Sequence, residues 1–341
     1  MTSTLAVRLD ALGDVLMMGP AIRALAAMSN SVTMLAGPRG AEAAGLLPGV
    51  DDVVVWSCPW IEPGAPPVDE VDLTRVRNQL EGRFDRAVVF TSFHQNALPT
   101  ALVLRLAGIP WIGAISEDYP GGLLNLRHRV PDAIAEPDRA LSLAVAAGGR
   151  LPEGDDGRLA IRGPLPAVPI DGPYVVLHPG TSVPARAWPA DRYVALAELL
   201  DRLGHRVVVT GAPTELRLTY EVAGRHGLDL GGRTGLHELA AVLAGADAVV
   251  AGNTGPAHLA AAVGTPIVSL FAPTVPASAW APYGVPAIVL GDQSAPCAGT
   301  RATECPVPGH PCLAGVTPEE VAAAVATLTG RVTPRRPKEL T

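Results

Sequence analysis

Short apolar runs of four to six residues alternate along this chain with longer stretches whose apolar positions recur at helical spacing. In the first half, Thr4–Leu9, Ser31–Leu35, Asp52–Trp56, Arg86–Phe90 and Trp111–Ala114 read as strands. Between them, Val15–Met28, Ala41–Leu47, Val71–Glu81 and Ala97–Leu106 read as helices, and a further helix over Pro137–Ala147 closes this half. Alternation of this kind predicts right-handed βαβ units on a parallel sheet.

Gly148–Pro173 then breaks the pattern. It is rich in Gly, Pro and Asp, with one short candidate strand at Leu159–Ile161, and reads as a linker. A second series follows, with strands Tyr174–His178, Arg206–Thr210, Leu228–Leu230, Ala248–Ala251 and Ile267–Leu270. Its helices are Ala190–Leu203, Glu215–His226, Leu236–Ala244, Pro256–Val263 and Pro318–Leu328. The expected organisation is α/β: an N-terminal Rossmann-like domain (1–160), a C-terminal one (161–330) and a polar tail (331–341) containing Pro334, Pro337 and Lys338. Ligands of such sheets bind outside the carboxyl ends of the strands, so two such domains predict a central cleft.

Composition narrows the function classes. A chain of 341 residues exceeds one ordinary core. With 48% hydrophobic and 17% charged residues it is a packed protein, not a disordered one. The net charge of −7 leaves no basic excess for nucleic acid. Lys338 is the only lysine, so Arg supplies nearly all the cationic side chains. Arg8, Asp10 and Asp14 interrupt the early apolar run, so no signal peptide is expected there. The uncharged stretch 248–291 contains repeated Gly and Pro, with Asn253 and His258, and cannot continue as a spanning helix. A cytoplasmic location is expected, with peripheral contact to the inner membrane left open.

Four segments carry candidate chemistry. Gly252-Asn253-Thr254-Gly255-Pro256-Ala257-His258 takes a strand into a capped helix start, where unpaired N–H groups and the dipole favour a phosphate. Near the N-terminus, Arg8-Leu9-Asp10-Ala11-Leu12-Gly13-Asp14-Val15 ends the first strand in a turn that Gly13 is expected to tighten. Asp14 there is placed to act as a general base or simply to cap the next helix, while Asp10 is the reserve base or a local turn former. His178-Pro179-Gly180-Thr181-Ser182 leads to Arg186-Ala187-Trp188-Pro189. Arg186 is either a bidentate phosphate ligand or a solvated surface residue. Gly211-Ala212-Pro213-Thr214-Glu215 presents a carboxylate suited to ribose hydroxyls, or to a helix dipole.

These motifs, in this order, resemble glycosyltransferase family 9, the family of the ADP-heptose:lipopolysaccharide heptosyltransferases. The resemblance runs from about Val7 to Leu328. It implies the GT-B architecture, with the acceptor on the N-terminal domain and the nucleotide-sugar donor on the C-terminal one. By resemblance Asp14 is the catalytic base, and Arg8 orients the base or the leaving group. Arg186 stands where relatives carry Lys on the diphosphate. Thr181, Ser182, Asn253, Thr254, Gly255 and His258 complete the donor site, and Glu215 and Thr234 meet the nucleoside. Asn253 departs from the Asp found in many relatives: it can exchange hydrogen bonds with sugar hydroxyls but cannot act as a base. His258 fits either a ligand contact or a structural role.

The expected reaction is inverting, metal-independent transfer of a sugar, by resemblance heptose from ADP-heptose, with a nucleotide-sugar co-substrate and no cofactor. A glycan, glycolipid or small secondary metabolite stays open as acceptor, with its contacts expected from Thr91–Asn96 and Ser116–Gly122. The competing classes are a non-catalytic sugar-nucleotide-binding protein, a nucleotide-sugar epimerase and a nicotinamide oxidoreductase. The last is disfavoured because the first turn lacks G-x-G-x-x-G. Cys297, Cys305 and Cys312 with His310 admit a zinc site, a disulfide or free thiols, but no C-x-x-C pair supports the metal.

Overall fold

A computed structural model describes residues 2–131 and 134–330; the expected polar tail, 331–341, lies outside them. The chain divides into two compact units that adjoin in sequence between Pro164 and Leu165. In the first, β1 (Ser3–Arg8), β2 (Ser31–Ala36), β3 (Asp52–Val55), β4 (Arg86–Val89), β5 (Trp111–Ile115) and β6 (Leu126–His128) form one sheet in the order β3-β2-β1-β4-β5-β6. Every pairing is parallel, and Thr4 stands opposite both Val32 and Arg86.

The second unit repeats this plan with β7 (Tyr174–His178), β8 (Arg206–Val209), β9 (Gly227–Asp229), β10 (Ala248–Gly252), β11 (Ile267–Leu270) and β12 (Ala287–Leu290). Its order, β12-β11-β10-β7-β8-β9, is the same doubly wound arrangement read from the other edge, and it too is wholly parallel. Each sheet therefore has one point where strand order reverses: between β1 and β4, and between β7 and β10. Such a reversal parts the connecting helices and leaves a crevice at the strand carboxyl ends.

Sheets covered on both faces require strands apolar on both faces, which explains the continuous runs of Val, Leu, Ile and Ala. In the first unit Leu5, Val7, Val89 and Ile112 pack with Ala101 and Leu104 of the helix Leu98–Leu106. In the second, Val175, Leu177, Val207, Val250 and Val268 pack with Leu196 and Leu200 of the helix Ala190–Arg202 and with Val321 and Val325 of Pro318–Thr329.

Several expected elements differ. The helix expected over Val15–Met28 is two, Leu12–Leu16 and Gly19–Ala26; Pro20 lies in the first turn of the second, where a missing N–H is harmless. Leu159–Ile161 forms no strand. Strands β6 and β12 went unpredicted because they are short edge strands, half-exposed and weakly patterned. Gly13 does not form a left-handed turn; it is buried inside the helix Leu12–Leu16.

Candidate functional site

In the first unit β1 delivers Arg8 to the point of strand reversal. The side chain is wholly buried. Its Nη2 donates to Asp14 Oδ1 at 3.0 Å and to Ser92 Oγ at 2.7 Å, so it bridges the ends of β1 and β4. Its Nε lies 2.8 Å from Asp10 Oδ2, an ion pair too bent for a hydrogen bond, and Nη1 lies 3.6 Å from Glu136 Oε2. Burial alone would lower the Arg8 pKa. The carboxylates of Asp10, Asp14 and Glu136 outweigh it and raise the value, so this guanidinium is permanently charged.

The three carboxylates around it are not alike. Glu136 is 2% exposed, and burial holds its pKa above the usual range despite Arg8 and Arg139. Burial does the same for Asp10, opposed by Arg8 and by a hydrogen bond from Gln95 Nε2. Asp14 is the most open, with its side chain 25% exposed. It sits within the first turn of its helix and makes no capping bond; Ala11 holds the N-cap position. The capping role is thereby removed, and Asp14 is a carboxylate held by a buried Arg and facing solvent.

Sequence reasoning did not name Glu136 or Arg139, and it gave Ser92 and Gln95 only as part of the acceptor segment Thr91–Asn96, not as partners of Arg8 and Asp10. Arg139 donates to the Thr91 carbonyl, and Gln95 Oε1 accepts from the Ser92 N–H at 3.0 Å. Glu136 carried the one readable signal, an acid just before Pro137, but that pattern also marks any helix start. Beside this network, Phe93–Ala97, Ile115–Asp118 and Arg139 line an open groove of about 320 Å³. Both segments expected to meet the acceptor contribute to it. Gln95 stands in its wall and touches Asp10, so the groove joins the carboxylate cluster directly.

In the second unit the polar residues gather where β7 and β10 end. Thr254 is the N-cap of the helix Gly255–Ala262, with Pro256 in its first turn and no side-chain capping bond. Asn253 and His258 are 4% and 3% exposed, yet Asn253 Nδ2 and His258 Nδ1 lack hydrogen-bond partners among the described residues. A buried polar atom left so costs about 1–3 kcal/mol, which points to a ligand that satisfies it. Burial, reinforced by the charge of Arg186, lowers the His258 pKa to about 4. The ring is therefore neutral at pH 7, and Arg186 supplies the local positive charge.

Arg186 ends the 3-10 turn Pro184–Arg186, and its carbonyl oxygen lies so close to Gly252 that a Cβ there would sit 3.3 Å from it. Gly252 thus brings the β7 loop against β10. Thr181 folds its hydroxyl onto its own loop, accepting from Val183 N–H at 3.2 Å, whereas Ser182 is exposed. Glu215 is half-buried; its Oε2 accepts from Ala212 N–H at 2.8 Å, and its other oxygen has no partner among the described residues. The carboxylate lies directly over Gly180, where any Cβ would come within 2.1 Å of it. Thr234 is half-buried just ahead of the helix Leu236–Ala244.

The structure gives no support to a zinc site. All four cysteines are free thiols, and no group of three or more ligating side chains is set for a metal among the described residues. His310 turns its Nε2 toward the Ala185 carbonyl, 3.1 Å away. Burial, with Cys297 and Cys305 nearby, pushes the Cys312 thiol up to about 11. Nor is any helix among the described residues long and apolar enough to cross a membrane.

The family model of glycosyltransferase family 9 (heptosyltransferase) matches residues 73–310, more than half of the chain. The chain belongs to glycosyltransferase family 9. It is a glycosyltransferase, and the matched segment includes Thr181, Arg186, Glu215, Thr234, Asn253 and His258, while Arg8, Asp10 and Asp14 precede it. Solved structures agree on the fold. A family 9 glycosyl transferase from Veillonella parvula superposes with a TM-score of 0.76 at 19% identity, covering 97% of this chain and 98% of that one. An E. coli ADP-heptose lipopolysaccharide heptosyltransferase II gives 0.70 at 22%, covering 96% and 99%. An E. coli heptosyltransferase solved with ADP-2-deoxy-2-fluoro heptose gives 0.73 at 22%, covering 95% and 99%. No curated protein matches the chain.

Proposed function

We propose that this glycosyltransferase moves heptose from ADP-heptose to a hydroxyl of a glycan, glycolipid or small-molecule acceptor, with inversion and without a metal ion. The observation that carries the reading is the anion site at the ends of β7 and β10: Arg186 beside a helix start, with Asn253 Nδ2 and His258 Nδ1 buried and unsatisfied. A diphosphate answers all three. The nucleotide and sugar are carried over from relatives of the same fold, one of which is solved with an ADP-heptose analogue.

In this mechanism the acceptor lies in the groove beside Gln95, and Asp14 takes the proton from its attacking hydroxyl. The acceptor oxygen forms a bond to the anomeric carbon on the face opposite the nucleotide, and the bond to the diphosphate oxygen breaks. The charge that develops on ADP is met by Arg186 and by the N–H groups of the helix Gly255–Ala262, with Thr181, Ser182 and Thr254 around it. Glu215 and Thr234 take the ribose and base. Arg8 orients Asp14 through its hydrogen bond to Oδ1.

Asp14→Asn tests the assignment. It should lower turnover of ADP-heptose with acceptor by about a hundredfold or more, the ordinary worth of a general base, while leaving donor affinity intact. Retention of more than about a tenth of wild-type turnover would move the base to Asp10.

A further inference from the structure

The segment 297–312, whose cysteines and histidine carry no assigned role, grips the peptide on which Arg186 depends. Ala185 N–H donates to the Thr303 carbonyl at 2.9 Å, and the Ala185 carbonyl accepts from His310 Nε2 at 3.1 Å. Both backbone polar groups of one buried residue, Ala185, are thus satisfied by a loop more than a hundred residues away in sequence. Because a carbonyl only accepts, His310 must carry its proton on Nε2. The geometry is unusual for the loop as well. Gly309 and His310 both have positive φ, 79° and 49°, and the left-handed conformation is uncommon for a residue with a Cβ. That turn is what reverses the chain and carries the ring back to Ala185.

The grip continues along the strand-to-helix connection that holds Arg186. Trp188 Nε1 donates to the Val316 carbonyl at 3.2 Å, and Arg192 Nη2 reaches the Ala314 carbonyl at 3.4 Å. Within the turn itself Arg186 N–H donates to Val183 O, at 2.8 Å, and Ala187 N–H to Pro184 O, at 3.0 Å. Two local bonds do not determine the direction of a three-residue turn preceded by an open loop, since each residue left unfixed costs about 1–2 kcal/mol to order. The clamp on Ala185 removes that freedom next to the guanidinium.

We propose that His310 is a positioning residue for the donor diphosphate: through Ala185 it sets the turn that presents Arg186. This rests on the donor reading above. Its function is preorganisation, so its loss falls on phosphate affinity and spares the nucleoside.

The test is calorimetric titration of ADP and adenosine against wild type, His310→Ala, His310→Gln, Arg186→Ala and the double variant. His310→Ala should weaken ADP about three- to tenfold and leave adenosine unchanged. Gln, whose amide donates from nearly the same place as Nε2, should restore most of the loss. The double variant should bind ADP no worse than Arg186→Ala, because a positioned group that is absent has nothing to lose. Equal weakening of adenosine, or additive losses, would make His310 a support of the fold alone and overturn the proposal. An unchanged ADP affinity in His310→Ala, with Arg186→Ala impaired, would overturn the positioning role while leaving Arg186 on the diphosphate. Unchanged affinity in both would remove Arg186 from the diphosphate, and the proposal with it.

Discussion

Replacing Arg8 by Met is the most direct probe of the N-terminal site. The guanidinium is wholly buried and meets three carboxylates and one hydroxyl: Asp10 at 2.8 Å, Asp14 at 3.0 Å, Glu136 at 3.6 Å and Ser92 at 2.7 Å. Methionine keeps much of the volume and removes the charge. Breaking a buried ion pair by deleting one partner costs about 3–5 kcal/mol, because the other charge stays behind unpaired. Here Asp10 and Glu136 are already held above their usual pKa by burial, and without Arg8 they rise further. A carboxyl whose folded pKa is raised contributes stability that is present below its unfolded value and lost as pH rises through the folded value. The deficit of Arg8→Met should therefore be small near pH 4 and grow toward pH 8, reaching about 3–5 kcal/mol. Native-state hydrogen exchange of the β1 and β4 amides, compared with those of β7 and β10 in the same molecules, reads it without assuming that a two-unit chain unfolds in one step. A pH-independent deficit, or one under about 1 kcal/mol at pH 8, would refute the view that Arg8 balances the cluster.

Three other outcomes are expected. Turnover of ADP-heptose should survive EDTA, since Arg186 and the helix start supply the positive charge; loss restored by Mg²⁺ or Mn²⁺ would defeat the metal-free mechanism. His258, lowered to about 4 by burial, makes the fold bind fewer protons than the unfolded chain between about pH 4 and 6.5, so stability falls with acid across that window; His258→Gln should flatten the dependence of melting temperature on pH there. Gly180→Ala should displace Glu215, because the new methyl would come within 2.1 Å of its carboxylate, and it should weaken ADP and adenosine alike in a titration; equal affinity for wild type and variant would take Glu215 out of the nucleoside site.

How much of this was legible beforehand depends on whether a signal was local. Strand and helix identity came from periodicity, and the central strands were read well because burial on both faces forces long apolar runs. The edge strands β6 and β12 lack that constraint and were missed. The helix start at Thr254–His258 is contained in one short segment and was readable as a strand running into a capped helix. The network around Arg8 is not. Ser92, Gln95 and Glu136 lie between 84 and 128 positions from Arg8 and are joined to it only by the order of the sheet. A buried Arg announces that partners exist; a linear sequence does not say which.

The same distinction applies to Cys297–Cys312, which on sequence alone admitted a zinc site, a disulfide or free thiols. Three cysteines and a histidine within sixteen residues look like a ligand set, but ligation needs their side chains to converge, and backbone direction decides that. The positive φ of Gly309 and His310 turns the ring outward to Ala185, and the buried thiols of Cys297 and Cys312 join the core beside Leu313 and Val316. A segment whose composition resembles a chelator is thus a packed lid on one side and a hydrogen-bonding clamp on the other. Of the four side chains that could have held an ion, His310 holds the Ala185 carbonyl instead, and Ala185 adjoins Arg186, the cation proposed for the leaving diphosphate.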